Sequence, residues 1–244
     1  MLHNDQRTLQ TMENTISQML TNGDYEMALP WKNYPPCLQN NKSPAHHRLK
    51  EDTRKGSYDI QQIQGFYGIY ARRVHDLHLG PLNTYWYLPH HAVFHPQKPG
   101  KVCVVFDCSA NYWGTLLNDK LLQGPDLTNS LVGVIRQFRP DPVAFMSDIE
   151  ALFYQVHVRP TNCDALRFLW WLDGNLALQP EEYQMTVRLF GVASSLCPKT
   201  TREFDVDTIH TVKRNFYVDD CLKSVGSNEK AMASLSQSAL LMVR

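Results

Sequence analysis

Asn215 to Val225 reads NFYVDDCLKSV, two short apolar half-strands with Asp219 and Asp220 side by side between them. Aromatic and β-branched residues on both flanks predict strand, turn, strand over Phe216 to Val225. Adjacent aspartates in such a turn repel and raise each other's pKa unless a cation compensates. A second segment, AFMSDIEALF from Ala144 to Phe153, puts Asp148 at the end of a buried strand expected over Val143 to Asp148. Brought alongside one another, the three carboxylates make a hard-oxygen pocket suited to Mg²⁺. Two such ions clamp the attacking and leaving oxygens of an in-line phosphoryl displacement. A solvated surface turn with two aspartates would read the same way, so the motif needs company.

The 244 residues and 28.1 kDa allow one large domain or two small ones. With 43% hydrophobic and 20% charged residues, disorder throughout is excluded. Basic and acidic residues number 24 each, so the net charge is zero and binding of nucleic acid through bulk positive charge is excluded. A local groove or a bound cation would have to supply the field. The six cysteines are scattered, with no CxxC pair, and the chain starts with the polar MLHNDQRTLQ. Both point to a reducing intracellular setting, cytoplasmic or nuclear. No apolar run reaches the roughly 18 residues of a membrane helix, so a soluble protein without a membrane partner is expected.

Elements of both kinds are mixed along the chain. Helical spacing of Leu9, Met12, Ile16 and Leu20 predicts a short helix over Asp5 to Leu20. A Pro/Asn-rich tract from Leu29 to Pro44 reads as loop or connector. A second helix is expected over Tyr58 to Arg73, with Ile60, Ile63 and Tyr67 on one stripe. Trp86 to Phe94 and Lys101 to Cys108 read as strands joined through Pro96 to Gly100 in a hairpin. Leu127, Leu131, Val134, Ile135 and Phe138 mark a helix ended by Pro140 and Pro142. Ile149 to Val158 is expected to hold a short helix. Asp164 to Leu178 and Tyr183 to Leu189 read as strands around a turn, Phe204 to Arg214 as helix, and Lys230 to Val243 as a last helix. Without strict βαβ alternation, the class is α+β rather than a doubly wound parallel sheet.

The two acidic segments belong to an ordered series. WYLPHHAVFHPQKPGKV from Trp86, VVFDCSA from Val104, LNDKLLQGPDLTNSLVGVI from Leu117, AFMSDIEALFYQVHV, LRFLWW, RLFGVASS from Arg188 and NFYVDDCLKSV follow one another over more than half the chain. This series resembles the reverse-transcriptase domain of BEL/Pao-type LTR retrotransposon polyproteins. The resemblance implies an RNA-directed DNA polymerase with right-hand fingers and palm over residues 58–226, the palm sheet mixed or antiparallel. An N-terminal polar connector over 1–57 and a truncated C-terminal helix over 227–244 complete the expected organisation. By the same resemblance, Asp148, Asp219 and Asp220 are the catalytic, metal-binding aspartates, with the Ile149 carbonyl beside them. Phe153 is the aromatic gate against a ribose 2′-hydroxyl. Phe190 and Gly191 pack against the incoming nucleotide, and Lys101 meets the triphosphate. Two Mg²⁺ or Mn²⁺ ions, an RNA template with DNA primer, dNTPs and longer retroelement proteins are the implied cofactors and partners.

The series departs from the family pattern at three points. Cys103 stands where Lys-x-Arg-Val-Val-Phe-Asp has its arginine, and cysteine lacks the charge and donor fork that grip phosphate. Only 26 positions separate Gly191 from Tyr217, shorter than the family spacing. The chain ends 24 residues beyond Asp220, so a thumb is expected to be lacking. Reduced activity is the expectation, with a non-catalytic nucleic-acid-binding remnant as the alternative. A zinc-binding structural module built on His90, His91, His95, Cys103 and Cys108 is a lesser one, since the spacing fits no common finger. Phe168, Trp170 and Trp171 read as buried strand rather than as a base-stacking platform. Arg136, Arg139, Arg159 and Arg167 read as solvated arginines rather than a template groove.

Overall fold

The computed structural model describes residues 25–54, 60–74, 83–94, 102–123, 128–148, 152–192, 214–242 and a few positions outside these segments. In chain order the elements are β1 (Ser17–Gln18), β2 (Tyr25–Met27), α1 (Lys42–Arg54), α2 (Ile60–Tyr70), β3 (Ala71–Arg73), β4 (His90–Phe94), β5 (Val102–Phe106), α3 (Leu117–Lys120), α4 (Leu131–Gln137), β6 (Val143–Asp148), β7 (Val156–Val158), β8 (Arg167–Trp170), β9 (Glu181–Met185), β10 (Phe216–Tyr217), β11 (Asp220–Val225) and α5 (Asn228–Met242). Two compact units divide them. One holds the described residues of 1–17, 26–124 and 156–194, the other those of 18–25, 125–155 and 195–244.

In the first unit β3, β9 and β8 form an antiparallel sheet and β4 pairs antiparallel with β5. Strand β8 is buried at every position, the apolar run Phe168 to Trp170 and the opening Arg167 alike. Tyr67 from α2 lies tilted 4.5 Å from Phe168 and edge-on 5.2 Å from Trp170, centroid to centroid. Phe106 lies 5.4 Å from Phe168, so both sheets and α2 share one aromatic core. Phe168, Trp170 and Trp171 are buried, in keeping with the strand reading. Met27, Leu29, Trp31, Leu38, Ala45 and Leu49, from the polar N-terminal third, are buried as well.

The second unit is the sheet β10–β11–β6, antiparallel throughout. Helix α5 packs against β6 and β11. Lys223 donates from Nζ to Ser234 Oγ on that helix at 3.4 Å and to Thr211 Oγ1 at 2.6 Å. Intermixed helices and antiparallel strands bear out the α+β expectation.

Several local readings need correction. Helix α2 stops at Tyr70 and not Arg73, because Ala71 to Arg73 pair with Met185 to Tyr183 in the sheet. Pairing across the chain overrides a local helical pattern. Helix α1 was hidden by its Ser43-Pro44 start, yet proline is tolerated in a first helical turn. The long strand expected over Asp164 to Leu178 is cut to Arg167–Trp170 by 3₁₀ turns at Pro160–Leu166 and Leu172–Gly174. Ile149 to Val158 yields a 3₁₀ turn, Leu152–Gln155, and then strand β7. In α4 only Val134 of the expected stripe is buried, while Leu131 and Ile135 are exposed. Of the helix expected over Asp5 to Leu20, Ser17–Gln18 is strand and most of the rest lies outside the described residues. Most of Phe204 to Arg214 lies outside them too.

Candidate metal centre

Asp148 closes β6 and Asp220 opens β11, and the antiparallel register sets them directly opposite each other. Directly opposed residues share a sheet face, so both carboxylates project to the same side. Alternation along β6 leaves Ala144, Met146 and Asp148 exposed, while Val143, Phe145 and Ser147 are half-buried. On the partner strand Cys221 and Val225 are buried on the face that includes Lys223, the face covered by α5. The acidic pair therefore lies on the face opposite the helix.

Asp219 joins them from the hairpin. Tyr217 pairs with Asp220, leaving Val218 and Asp219 as a two-residue turn. Val218 has φ +58° at the first central position, where such II′ turns favour glycine. A β-branched residue in the left-handed region is an outlier, of the strained kind that clusters at functional sites. Ligand oxygens of Asp148, Asp219 and Asp220 all lie within 4.8 Å of one another. Burial first, then the charges of Asp219 and Asp148, raise the Asp220 carboxyl above its ordinary 3.8. Opposed like charges oppose folding, and a bound cation is the direct remedy. The donor set is all carboxylate oxygen, which suits Mg²⁺ or Mn²⁺ and not a soft metal.

The strain at Val218 is open to test. Glycine there removes a left-handed penalty of about 1–2 kcal/mol against a chain-entropy cost of about 0.5–1 kcal/mol. Val218 is 45% exposed, so little packing is lost. V218G is expected to raise the melting temperature of the metal-free protein by about 1–4 °C, read by circular dichroism.

The other expected site residues fall on further elements. Phe153 lies in the 3₁₀ turn Leu152–Gln155, within the same unit and half-buried. Phe190 and Gly191 belong to the other unit, Phe190 exposed and Gly191 at φ +92°. Asn118 Nδ2 donates to the Gly191 carbonyl at 2.9 Å. Lys101 and Ile149 lie outside the described residues.

Among the described residues, the zinc reading finds no assembled site. Register puts His90 on the face of the β4–β5 hairpin opposite to His91 and Cys103. His90 is enclosed by Tyr67, Phe106, Phe168 and Trp170, and burial takes its pKa down to about 3. Burial, then the Asp107 charge, pushes the Cys108 thiol up to about 12, the reverse of what a zinc thiolate needs. His95 lies outside the described residues. Among the described residues, Asp148, Asp219 and Asp220 are the group of metal-ligating side chains that converge.

One of the four arginine readings changes, while Arg136 and Arg139 are exposed as expected. Arg167 is buried, its guanidinium bonded to Asp164 at 2.7 and 2.9 Å and to Glu182 at 2.8 Å. No sequence signal marks an arginine at a strand start as a core residue; its carboxylate partners lie three and fifteen positions on either side.

No family model matches the sequence, and no curated protein matches it. Among solved structures, a foamy viral protease–reverse transcriptase in complex with double-stranded DNA is similar with a TM-score of 0.51 and 15% identity. The likeness covers 89% of this chain and 34% of that one. A foamy viral protease–reverse transcriptase in complex with an RNA/DNA hybrid gives a TM-score of 0.46 at 14% identity, over 93% of this chain and 25% of that one. This chain thus spans about a third of the length of the first of these proteins. What the first likeness establishes is the fold: the chain is reverse-transcriptase-like in structure, with an acidic triad on its second unit.

Proposed function

We propose that this chain is the fingers-and-palm portion, residues 58–226, of a BEL/Pao-type reverse transcriptase, which extends a DNA primer on an RNA template. The observation that carries the reading is the convergence of Asp148, Asp219 and Asp220. The reverse-transcriptase-like fold supports it. Bound at the triad, two divalent ions would supply Lewis acidity toward the primer 3′-hydroxyl and the triphosphate. The chain's own part is to hold that charge. Asp148 and Asp220 offer oxygens from two paired strands, and Asp219 offers its own from a turn fixed by the hairpin register. Phe153 would screen the sugar, and Phe190, Gly191 and Lys101 the base and phosphates. A cytoplasmic or nuclear setting, with longer retroelement proteins as partners, belongs to the same reading.

Primer extension on an RNA template with Mg²⁺ or Mn²⁺ tests it. Folded protein that incorporates no dNTP would overturn the catalytic reading and leave a non-catalytic remnant. Cys103 makes the rate informative, being exposed on β5 opposite Val93. If arginine at this position grips the triphosphate, C103R raises single-turnover incorporation by about 100-fold, the worth of one strong charged contact in the transition state. An unchanged rate would show that position 103 does not reach the nucleotide.

A further inference from the structure

Trp113 is 82% exposed, whereas Trp31, Trp86, Trp170 and Trp171, the other tryptophans, are all buried. The turn that presents it is tight. Tyr112 and Thr115 exchange both backbone hydrogen bonds, at 2.9 and 3.0 Å. Asn111 Oδ1 accepts from the Gly114 N–H at 2.9 Å. Trp113 and Gly114 fill the two central positions with φ +49° and +76°, the left-handed pair of a I′ turn. Asn, Asp or Gly is the usual first occupant, and a bulky ring there is strained. Half-buried Tyr112 stacks against Trp113 with ring planes 18° apart and centroids at 5.2 Å. One indole face is therefore backed and the other is open. The segments on either side of the turn are tied to Phe190 and Gly191, through Asn118 of α3 and through Cys108, whose Sγ lies 3.9 Å from the Phe190 carbonyl oxygen.

We propose that the Tyr112–Trp113 stack is a platform for an unpaired base of single-stranded nucleic acid. The inference takes its ligand class from the polymerase reading above. A ring already held by a rigid turn loses little freedom on binding, and every base has a π-face to offer it. Continuity with Phe190 and Gly191 favours nucleic acid over a protein pocket as the occupant.

The test is binding of fluorescein-labelled oligo(dT) and oligo(U) to the full chain. W113A is expected to weaken binding about tenfold, within the usual worth of one stacked base, and W113F to stay within about threefold of wild type. The oligonucleotide should quench the long-wavelength emission of wild type and not that of W113F, since Trp113 is the exposed indole. An abasic oligonucleotide should bind wild type and W113A alike. Circular dichroism melts establish that each variant is folded. Unchanged affinity of W113A would overturn the platform while leaving the polymerase reading standing. So would a W113A-sensitive dimer with unaltered oligonucleotide affinity, which would mark a protein contact. No oligonucleotide binding by wild type would overturn the nucleic-acid reading and the platform with it.

Discussion

D219N/D220N is expected to abolish primer extension, by about 10³-fold or more, because the variant loses two of the three carboxylates available to the divalent ions. Loss of activity alone would not separate chemistry from misfolding, and the sign of the stability change does. Burial, then Asp219 and Asp148, raise the Asp220 carboxyl above its ordinary 3.8. At pH well below that value the group is protonated both folded and unfolded and adds no penalty. As pH rises through the ordinary value toward the raised one, the unfolded chain ionises first, and stability falls. Above the raised value the penalty is fully in place. Asparagine at Asp220 removes it, so metal-free D219N/D220N should melt higher than wild type at neutral pH and lose that advantage in strong acid.

Metal ions reverse the order. A ligand at ten times its Kd stabilises the folded form by about 1.4 kcal/mol, or about 3–6 °C for a chain of this size. Wild type should gain that in Mg²⁺ or Mn²⁺ and the variant should not. A triad that is only a solvated acidic patch would give no metal-dependent shift in either protein. Thermal melts across pH, with and without the ion, therefore read the site even if extension is too slow to see.

How much of this was legible depended on range. The hairpin Phe216 to Val225 and strand Val143 to Asp148 could be read locally, because apolar residues flank a turn signal or run unbroken. Their register, which sets Asp148 opposite Asp220, is a tertiary fact that only the order of the blocks hinted at. Helix α1 was missed because its charged sequence buries just Ala45 and Leu49, too narrow a stripe to stand out. The exposed Trp113 carried no signal either: Tyr-Trp-Gly has no turn propensity that announces a I′ geometry, which depends on Gly114 and the Asn111 side chain together. Arg167 misled for the opposite reason, since an arginine is read as solvated unless its partners are seen.

Arg167 accordingly carries the largest expected effect on stability. Its side chain is 3% exposed and its guanidinium lies 4.1 Å from the Tyr85 ring centroid, while it bonds Asp164 and Glu182 together. Tyr87 Oη also donates to Glu182 at 2.7 Å, and Lys42 pairs with the same carboxylate at 2.5 Å. Removing one partner of a buried ion pair costs about 3–5 kcal/mol, because the charge left behind stays desolvated. Asp164 and Glu182 are 22% and 24% exposed, so water can reach both, and Lys42 still neutralises one. R167M should therefore fall at the low end, about 3 kcal/mol, and melt about 6–12 °C lower. In urea the midpoint should drop with the slope unchanged, as the unit buries the same surface. R167K keeps the charge but not the planar fork that spans two carboxylates, and should lie between wild type and R167M. Adding E182Q to R167M should recover part of the loss, since it removes one of the stranded charges. Full stability of R167M would mean that Asp164 and Glu182 are held by water and Lys42, and that the arginine serves packing over Tyr85 alone.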